Sequence, residues 1–295
     1  MKIISNTCKK IHLSATSCHG TGRFAATLRA PHVRWQFLLC AFWVLAPFTS
    51  CKQSIEYRII EVEKSAAWQP GDLILKDGSR IAADTITPTT LAAATAEPIA
   101  VVGFIQNGRP VGIGIKVSTA SGTTAAWATS GTLAYAADIP AQRGTMAHGN
   151  TGKENFSYLV DYYKSNGSAA PKDDALTHCP VFRYAETYGT TSGVFPSLEG
   201  TPYETGWFIP SLNELYEIYQ FRDRIRRTFY ILHDCNTDPS THISTLPSHS
   251  YWSSSQSSDM ATQAYQISFY ESYTQEIVLS LDKSQTRDII VVHTF

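Results

Sequence analysis

The chain has 295 residues, 43% hydrophobic and 17% charged, a composition that excludes a disordered or fibrous protein. Its formal charge is −1, but the first fifty residues hold six bases (Lys2, Lys9, Lys10, Arg23, Arg29, Arg34) and no acid, which leaves 18 bases against 25 acids in the remainder. An acidic remainder argues against nucleic acid as a partner, because duplex binding depends on neutralising phosphates with a basic surface.

In the leader, Arg29, His32 and Arg34 precede an apolar run over residues 35–48, of signal-peptide length and too short to span a bilayer. Phe48-Thr49-Ser50-Cys51 follows, with small residues before a cysteine at the end of the run. We read this as a lipobox with Phe48 where leucine is usual; a plain secretory signal and an N-terminal membrane anchor are the alternatives. Cys51 would then be diacylated and become the N-terminus, and two or three acyl chains hold a protein firmly on a membrane where one does not. Residues 1–30 carry no export logic, and one reading is that translation starts later, for example at Val33. The expected division is a leader over 1–50, a tether over 51–67 and a single domain over 68–295. Of six cysteines, Cys51, Cys179 and Cys235 would survive processing, and the last two either pair or stay as buried thiols.

Gly71-Asp72-Leu73-Ile74-Leu75 reads as a strand and Lys76-Asp77-Gly78-Ser79 as the turn of a hairpin. Residues 83–96, rich in Thr and Ala, are expected to form a connecting loop with at most one helical turn. Residues 99–105 and 111–117 read as strands about the turn Asn107-Gly108-Arg109-Pro110. Gly112 and Gly114, at period two, would let a backbone or a large ring approach one strand face; no helix follows, so they are not a nucleotide fingerprint. Residues 125–127 and 133–137 suggest a short strand or loop. A helix is expected over 156–163, burying Phe156, Leu159, Val160 and Tyr163, and a second over 180–188 with Phe182, Ala185 and Tyr188 inward.

The best helix start is Gly206-Trp207-Phe208-Ile209-Pro210-Ser211-Leu212-Asn213-Glu214-Leu215. Pro210 ends an aromatic run, Ser211 can cap, and Glu214 stands three residues on, where its carboxylate reaches the Ser211 N–H. Leu212, Leu215, Ile218 and Ile225 recur at helical spacing, so this third helix is expected to run to about Arg227. Tyr251-Trp252-Ser253, 264–270, 276–281 and 288–295 then read as four strands of an antiparallel meander.

The Gly-Trp-Phe-Ile-Pro-Ser-Leu-Asn-Glu-Leu run, Tyr251-Trp252-Ser253-Ser254-Ser255 and the alternating tail together resemble the family of the C-terminal domain of the Legionella collagen-like protein, as found on lipoproteins of spirochaetes and Bacteroides-type bacteria. The resemblance reaches back to Gly71. It implies an α+β, C-type lectin-like fold of the formylglycine-generating-enzyme type, with antiparallel strands and about three helices. It implies a fold well and a ligand poorly.

Chemistry is sparse. There is no Gly-x-Ser-x-Gly elbow, His-Glu-x-x-His pair or EF-hand loop, and the spacings of His233, Cys235, His242 and His249 match no recognised metal site. The calcium signatures of sugar-binding C-type lectins and the active cysteines of the formylglycine-generating enzymes are unmatched. No catalytic residue, metal or cofactor is therefore assigned.

What remains is a recognition surface, since Tyr among small polar residues offers contact area at low entropy cost. Alternation over 263–270 places Tyr265, Ile267 and Phe269 in the core and exposes Gln266, Ser268 and Tyr270, with Glu271, Tyr273 and Thr274 at the turn. Arg222 and Arg226, in the arginine-rich end of the third helix, are further ligand candidates, for a sulfated or phosphorylated partner. The alternatives are a solvated sheet face and a solvated helix end.

The expected function is a lipid-anchored protein of the bacterial cell envelope, outer membrane or surface. It would bind the membrane through Cys51 and present a lectin-like adhesion module to a glycan, matrix component or host protein. The runner-up is an extracytoplasmic enzyme or enzyme accessory on the same fold, with His233, Cys235 and His242 around a cavity; a structural envelope lipoprotein is the third reading.

Overall fold

The computed structural model describes residues 67–117, 123–190, 198–237, 242–270 and 277–295, which all fall in one compact unit, Val62–Phe295. The expected leader, Cys51 as the expected lipidation site, the expected tether up to residue 66 and the residues Glu271, Tyr273 and Thr274 lie outside the described residues. In chain order the elements are β1 (Leu73–Leu75), β2 (Arg80–Ile81), α1 (Pro88–Ala92), β3 (Pro98–Gln106), β4 (Arg109–Gly114), β5 (Thr124–Ala126), α2 (Leu133–Ala136), α3 (Gly152–Ser165) and α4 (Pro171–His178). There follow α5 (Pro180–Thr187), α6 (Leu212–Gln220), α7 (Arg222–Cys235), β6 (Ser250–Gln256), β7 (Gln263–Ser268), β8 (Val278–Asp282), β9 (Thr286–Asp288) and β10 (Val292–Thr294).

The protein is α+β, and its described residues form two five-stranded sheets ordered β10-β4-β3-β1-β2 and β5-β9-β6-β7-β8. All pairings are antiparallel except β6 with β9, which meet in parallel at Tyr251 and Asp288. The first hairpin forms where Asp-Gly is read: Gly78 takes φ +82°, and the Asp77 carboxylate accepts the Ser79 N–H at 2.9 Å. Gly112 and Gly114 admit rings. A Cβ on Gly114 would lie 2.3 Å from the Tyr188 hydroxyl oxygen, and one on Gly112 2.7 Å from the Phe295 ring.

The tail is a correction to the expected four-strand meander. β6, β7 and β8 form one, but the chain then divides between sheets, with β9 in the second and β10 in the first. Ile289, Ile290 and Val291, all buried, carry it between the sheets through the core, which a reading of one continuous strand misses.

The described residues hold seven α-helices, not about three. α1 and α2 are single turns of five and four residues, too short to show periodicity. α4, Pro-Lys-Asp-Asp-Ala-Leu-Thr-His, buries only Ala175 and so carries no apolar stripe. The third expected helix is two helices: Phe221 stands between α6 and α7 with φ −104° and ψ 12°, off helical geometry. The arginines from Arg222 onward therefore occupy the opening turns of α7, not the closing turns of α6, and have no favourable dipole there.

α6 is the element between the sheets, packing on β3 of the first and on β6 and β7 of the second. Its Leu212, Leu215 and Ile218 are at most 2% exposed, and each such burial is worth about 1.5–3 kcal/mol. They belong to a core with Val101, Phe104, Phe229 and Phe269. A second core gathers Trp127, Tyr163, Tyr188, Trp207 and Trp252. The Tyr251-Trp252-Ser253-Ser254-Ser255 run divides between them, Tyr251 in the first and Trp252 in the second.

The serines of that run are buried and structural. Ser255 Oγ accepts the Leu212 N–H at 3.0 Å, satisfying one orphan donor at the α6 start. The Asn155 amide donates to the Ser254 and Ser255 hydroxyls at 3.0 and 3.2 Å, which ties α3 to β6.

Candidate functional site

The start of α3 is fixed from both sides. Thr151 and Glu154 form a capping box, with the Thr151 N–H donating to Glu154 at 2.7 Å and the Glu154 N–H to Thr151 Oγ1 at 3.2 Å. Gly152 presses against the 207–210 segment so closely that a Cβ there would lie 1.9 Å from the Ile209 carbonyl oxygen. Its N–H donates to Glu214 Oε2 at 2.9 Å, the oxygen that also receives the Ser211 N–H at 2.9 Å. The two helix starts share one carboxylate.

So held, α3 presents a stripe at helical spacing, Lys153, Phe156, Ser157, Val160 and Asp161, to a groove of about 520 Å³. Phe182, Ala185 and Glu186 of α5 and Lys172 of α4 form the opposite wall, and Gly206, Trp207 and Phe208 close the bottom. The floor segment extends the first sheet, because Phe208 and Val292 exchange both backbone hydrogen bonds at 2.9 Å. Its volume lies within the range of small-ligand sites.

The groove is apolar inside and charged at its rim. Phe156 and Phe182 stack with centroids 5.3 Å apart and planes at 21°. Lys153 Nζ lies 5.0 Å from the Phe208 ring centroid; burial and the Arg109 guanidinium lower its pKa, against the pull of Glu214. Lys172 and Glu186 pair with each other on the wall facing α3. Lys153 and Asp161 stand eight residues apart on one helix, about 12 Å along its axis. A positive end, aromatic faces and a negative end suit a ligand with apolar faces and polar edges.

Behind the floor, His293 is 9% exposed. Its Nε2 lies 3.0 Å from the Thr205 carbonyl, so the proton sits on that nitrogen. Burial first, then the charges of Lys153 and Arg109, push its pKa down to about 4, and the ring is neutral at pH 7.

The sequence-predicted residues lie elsewhere. Ile267 and Phe269 are core as expected, but Gln266 and Ser268 are 3% and 8% exposed, which corrects their assignment to an open face. Gln266 Oε1 accepts from Arg287 Nε at 3.0 Å, and Ser268 Oγ lies 2.8 Å from Ser250 Oγ. β7 is an inner strand between β6 and β8, and the side chains of Ser250 from β6 and Arg287 from β9 lie against the residues that alternation alone leaves free. Tyr265, expected in the core, is half-buried, with its hydroxyl 2.8 Å from Ser258 Oγ. Tyr270 is exposed.

Arg226 is a second correction. It is 6% exposed, and its guanidinium donates to the Leu246 carbonyl at 3.0 Å and the Phe269 carbonyl at 3.4 Å, so it braces α7 against the second sheet. Arg222 is half-buried, 4.2 Å over the Tyr219 ring. Neither lines the groove, nor do Gln266, Ser268 and Tyr270. His233, Cys235 and His242, the enzyme candidates, do not line it either. Among the described residues no three His, Cys, Asp or Glu side chains are grouped to hold a metal ion. Cys179 is a buried thiol and forms no disulfide with Cys235; burial pushes its pKa up to about 12.

Sequence reasoning missed the groove because it placed Phe156, Leu159, Val160 and Tyr163 on one buried face. Leu159 and Tyr163 are buried, whereas Phe156 and Val160 are half-exposed. The signal was available: an apolar stripe bordered by Lys153 and Asp161 is wider than one core contact needs. Comparison of the chain with protein-family models, with curated proteins and with solved structures found no match.

Proposed function

We propose that the protein is a lipid-anchored ligand-binding module of the bacterial cell envelope, held on the membrane through Cys51 and acting by recognition without catalysis. In this reading the domain has a C-type lectin-like fold of the formylglycine-generating-enzyme type. A capped helix between two sheets of short strands, with the Tyr-Trp-Ser-Ser-Ser run packed at its start, supports that assignment. The observation that carries the binding role is the groove between α3 and α5, an aromatic floor rimmed by charges of both signs. Ring faces take the apolar face of a sugar or the side chains of a short peptide, while Lys153, Ser157 and Asp161 take polar groups. Adhesion to a glycan, matrix component or host protein is the corresponding role.

Glycan and peptide arrays probed with the processed chain test this. Lys153→Ala and Asp161→Ala should each weaken capture about tenfold, close to 1.4 kcal/mol, while exposed Tyr270→Ala leaves it unchanged. If no captured ligand responds to either groove variant, the groove is not the site. Labelled palmitate incorporation that persists in Cys51→Ser would overturn the anchor.

A further inference from the structure

Lys116 follows β4, and its backbone bridges to Ile243. Its side chain turns inward: the residue is 4% exposed, and Nζ lies 4.5 Å from the Tyr188 ring centroid. Nζ has no hydrogen-bond partner among the described residues. Burial alone lowers its pKa, to about 8, and no carboxylate offsets that cost. At pH 7 the ammonium is therefore charged and buried with no counter-charge among the described residues, an arrangement that is normally avoided.

A cavity of about 20 Å³ adjoins it, bounded also by Tyr184, Ser244, Leu246, Tyr251 and Val291. That is room for one water or one monatomic ion. The hydroxyls are unequal. Tyr251 donates to the Pro247 carbonyl at 2.8 Å and has no proton left to give. Tyr184 accepts from Thr123 at 3.1 Å and Ser244 accepts the Leu246 N–H at 2.9 Å, so each keeps its own O–H. Lys116, which carries the ammonium, and Tyr184 and Ser244, which carry the two donor hydroxyls, line the space, and no carboxylate is among its described walls. Such a set repels cations and matches a small anion.

We propose that this cavity binds a single monovalent anion of halide size, held by the Lys116 ammonium and the Tyr184 and Ser244 hydroxyls. The ion would neutralise the buried charge and join α5, the strand end at Lys116 and the 242–246 segment.

The probe is bromide, exchanged for gluconate at constant ionic strength and pH 7, with thermal unfolding of the wild-type chain as the readout. The midpoint should rise by about 4 °C for each tenfold increase above the dissociation constant. Lys116→Met, of similar length and no charge, should unfold at a temperature independent of bromide. Anomalous scattering from bromide-soaked wild-type crystals should place one ion beside Nζ, a readout that stands even where the variant fails to fold. A bromide-independent wild-type midpoint, a Lys116→Met midpoint that still responds, or a cavity holding only water would each overturn the assignment.

Discussion

Glu214 Oε2 accepts the Gly152 N–H at 2.9 Å across 62 residues of sequence, and the same oxygen receives the Ser211 N–H and hydroxyl. Gln106 donates to the other oxygen at 3.2 Å. A carboxylate 1% exposed thus fastens the starts of α3 and α6 to the end of β3. Glu214→Ala leaves buried N–H groups without acceptors and should cost about 3 kcal/mol in urea unfolding. Glu214→Gln keeps one acceptor oxygen for the two N–H groups, and a flipped Gln106 amide can face the new NH2. Its cost should stay below about 1.5 kcal/mol.

Gly152 is the other half of the same joint. A Cβ at 1.9 Å from the Ile209 carbonyl oxygen meets backbone, not the yielding end of a side chain. Gly152→Ala should therefore displace the start of α3, cost more than about 2 kcal/mol and loosen ligand capture in the groove. An alanine variant with unchanged unfolding midpoint and unchanged capture would show that the joint is slack.

How far the sequence reached can be judged at these residues. The Ser211–Glu214 helix start was legible, because a cap and a carboxylate three residues on are local chemistry. So were the Asp77-Gly78 hairpin and the close packing at Gly112 and Gly114. The second partner of Glu214 was not, since nothing near Gly152 announces a contact with residue 214. Alternation correctly buried Ile267 and Phe269, but it cannot say that the Arg287 side chain of β9 reaches Gln266 on the other face. Arg226 looked solvated because charged residues usually are; two backbone carbonyls waiting in the core are a tertiary fact. The stripe on α3 announced a second contact, but that α5 stands opposite it is encoded by no spacing within either helix.

Lys283 offers a third test. It is fully buried, its Nζ donates to the Ala134 and Ala137 carbonyls at 3.1 Å, and it lies 4.8 Å from the Trp127 ring centroid. The ammonium closes α2, whose four residues leave their carbonyls without helical partners. Lys283→Met fits the volume but abandons those acceptors, so it should cost about 1–3 kcal/mol in urea unfolding. Weaker near-ultraviolet dichroism from Trp127 should accompany the loss. A variant as stable as wild type would mean that desolvating the charge already cancels its hydrogen bonds.

The pH dependence of stability follows from groups whose burial pulls in opposite directions. His293 has its pKa pushed down from 6.5 to about 4, so between these values the unfolded chain binds the extra proton and stability falls as pH falls. The full effect is on the order of 3 kcal/mol. Glu214 is raised above 4.5, chiefly by burial, and Asp288 above 3.8, also chiefly by burial. For them the folded chain holds the proton, and stability falls as pH rises through that window. Urea unfolding measured from pH 7 to pH 4 separates the two. His293→Gln, which keeps an N–H to offer the Thr205 carbonyl, should flatten the acid loss. Glu214→Gln should steepen it, because a term that opposes His293 has gone. If His293→Gln keeps the wild-type slope, the imidazole is protonated in the folded protein near pH 6, and the ring cluster of His293 with Trp207 and Phe295 must open to water to allow it.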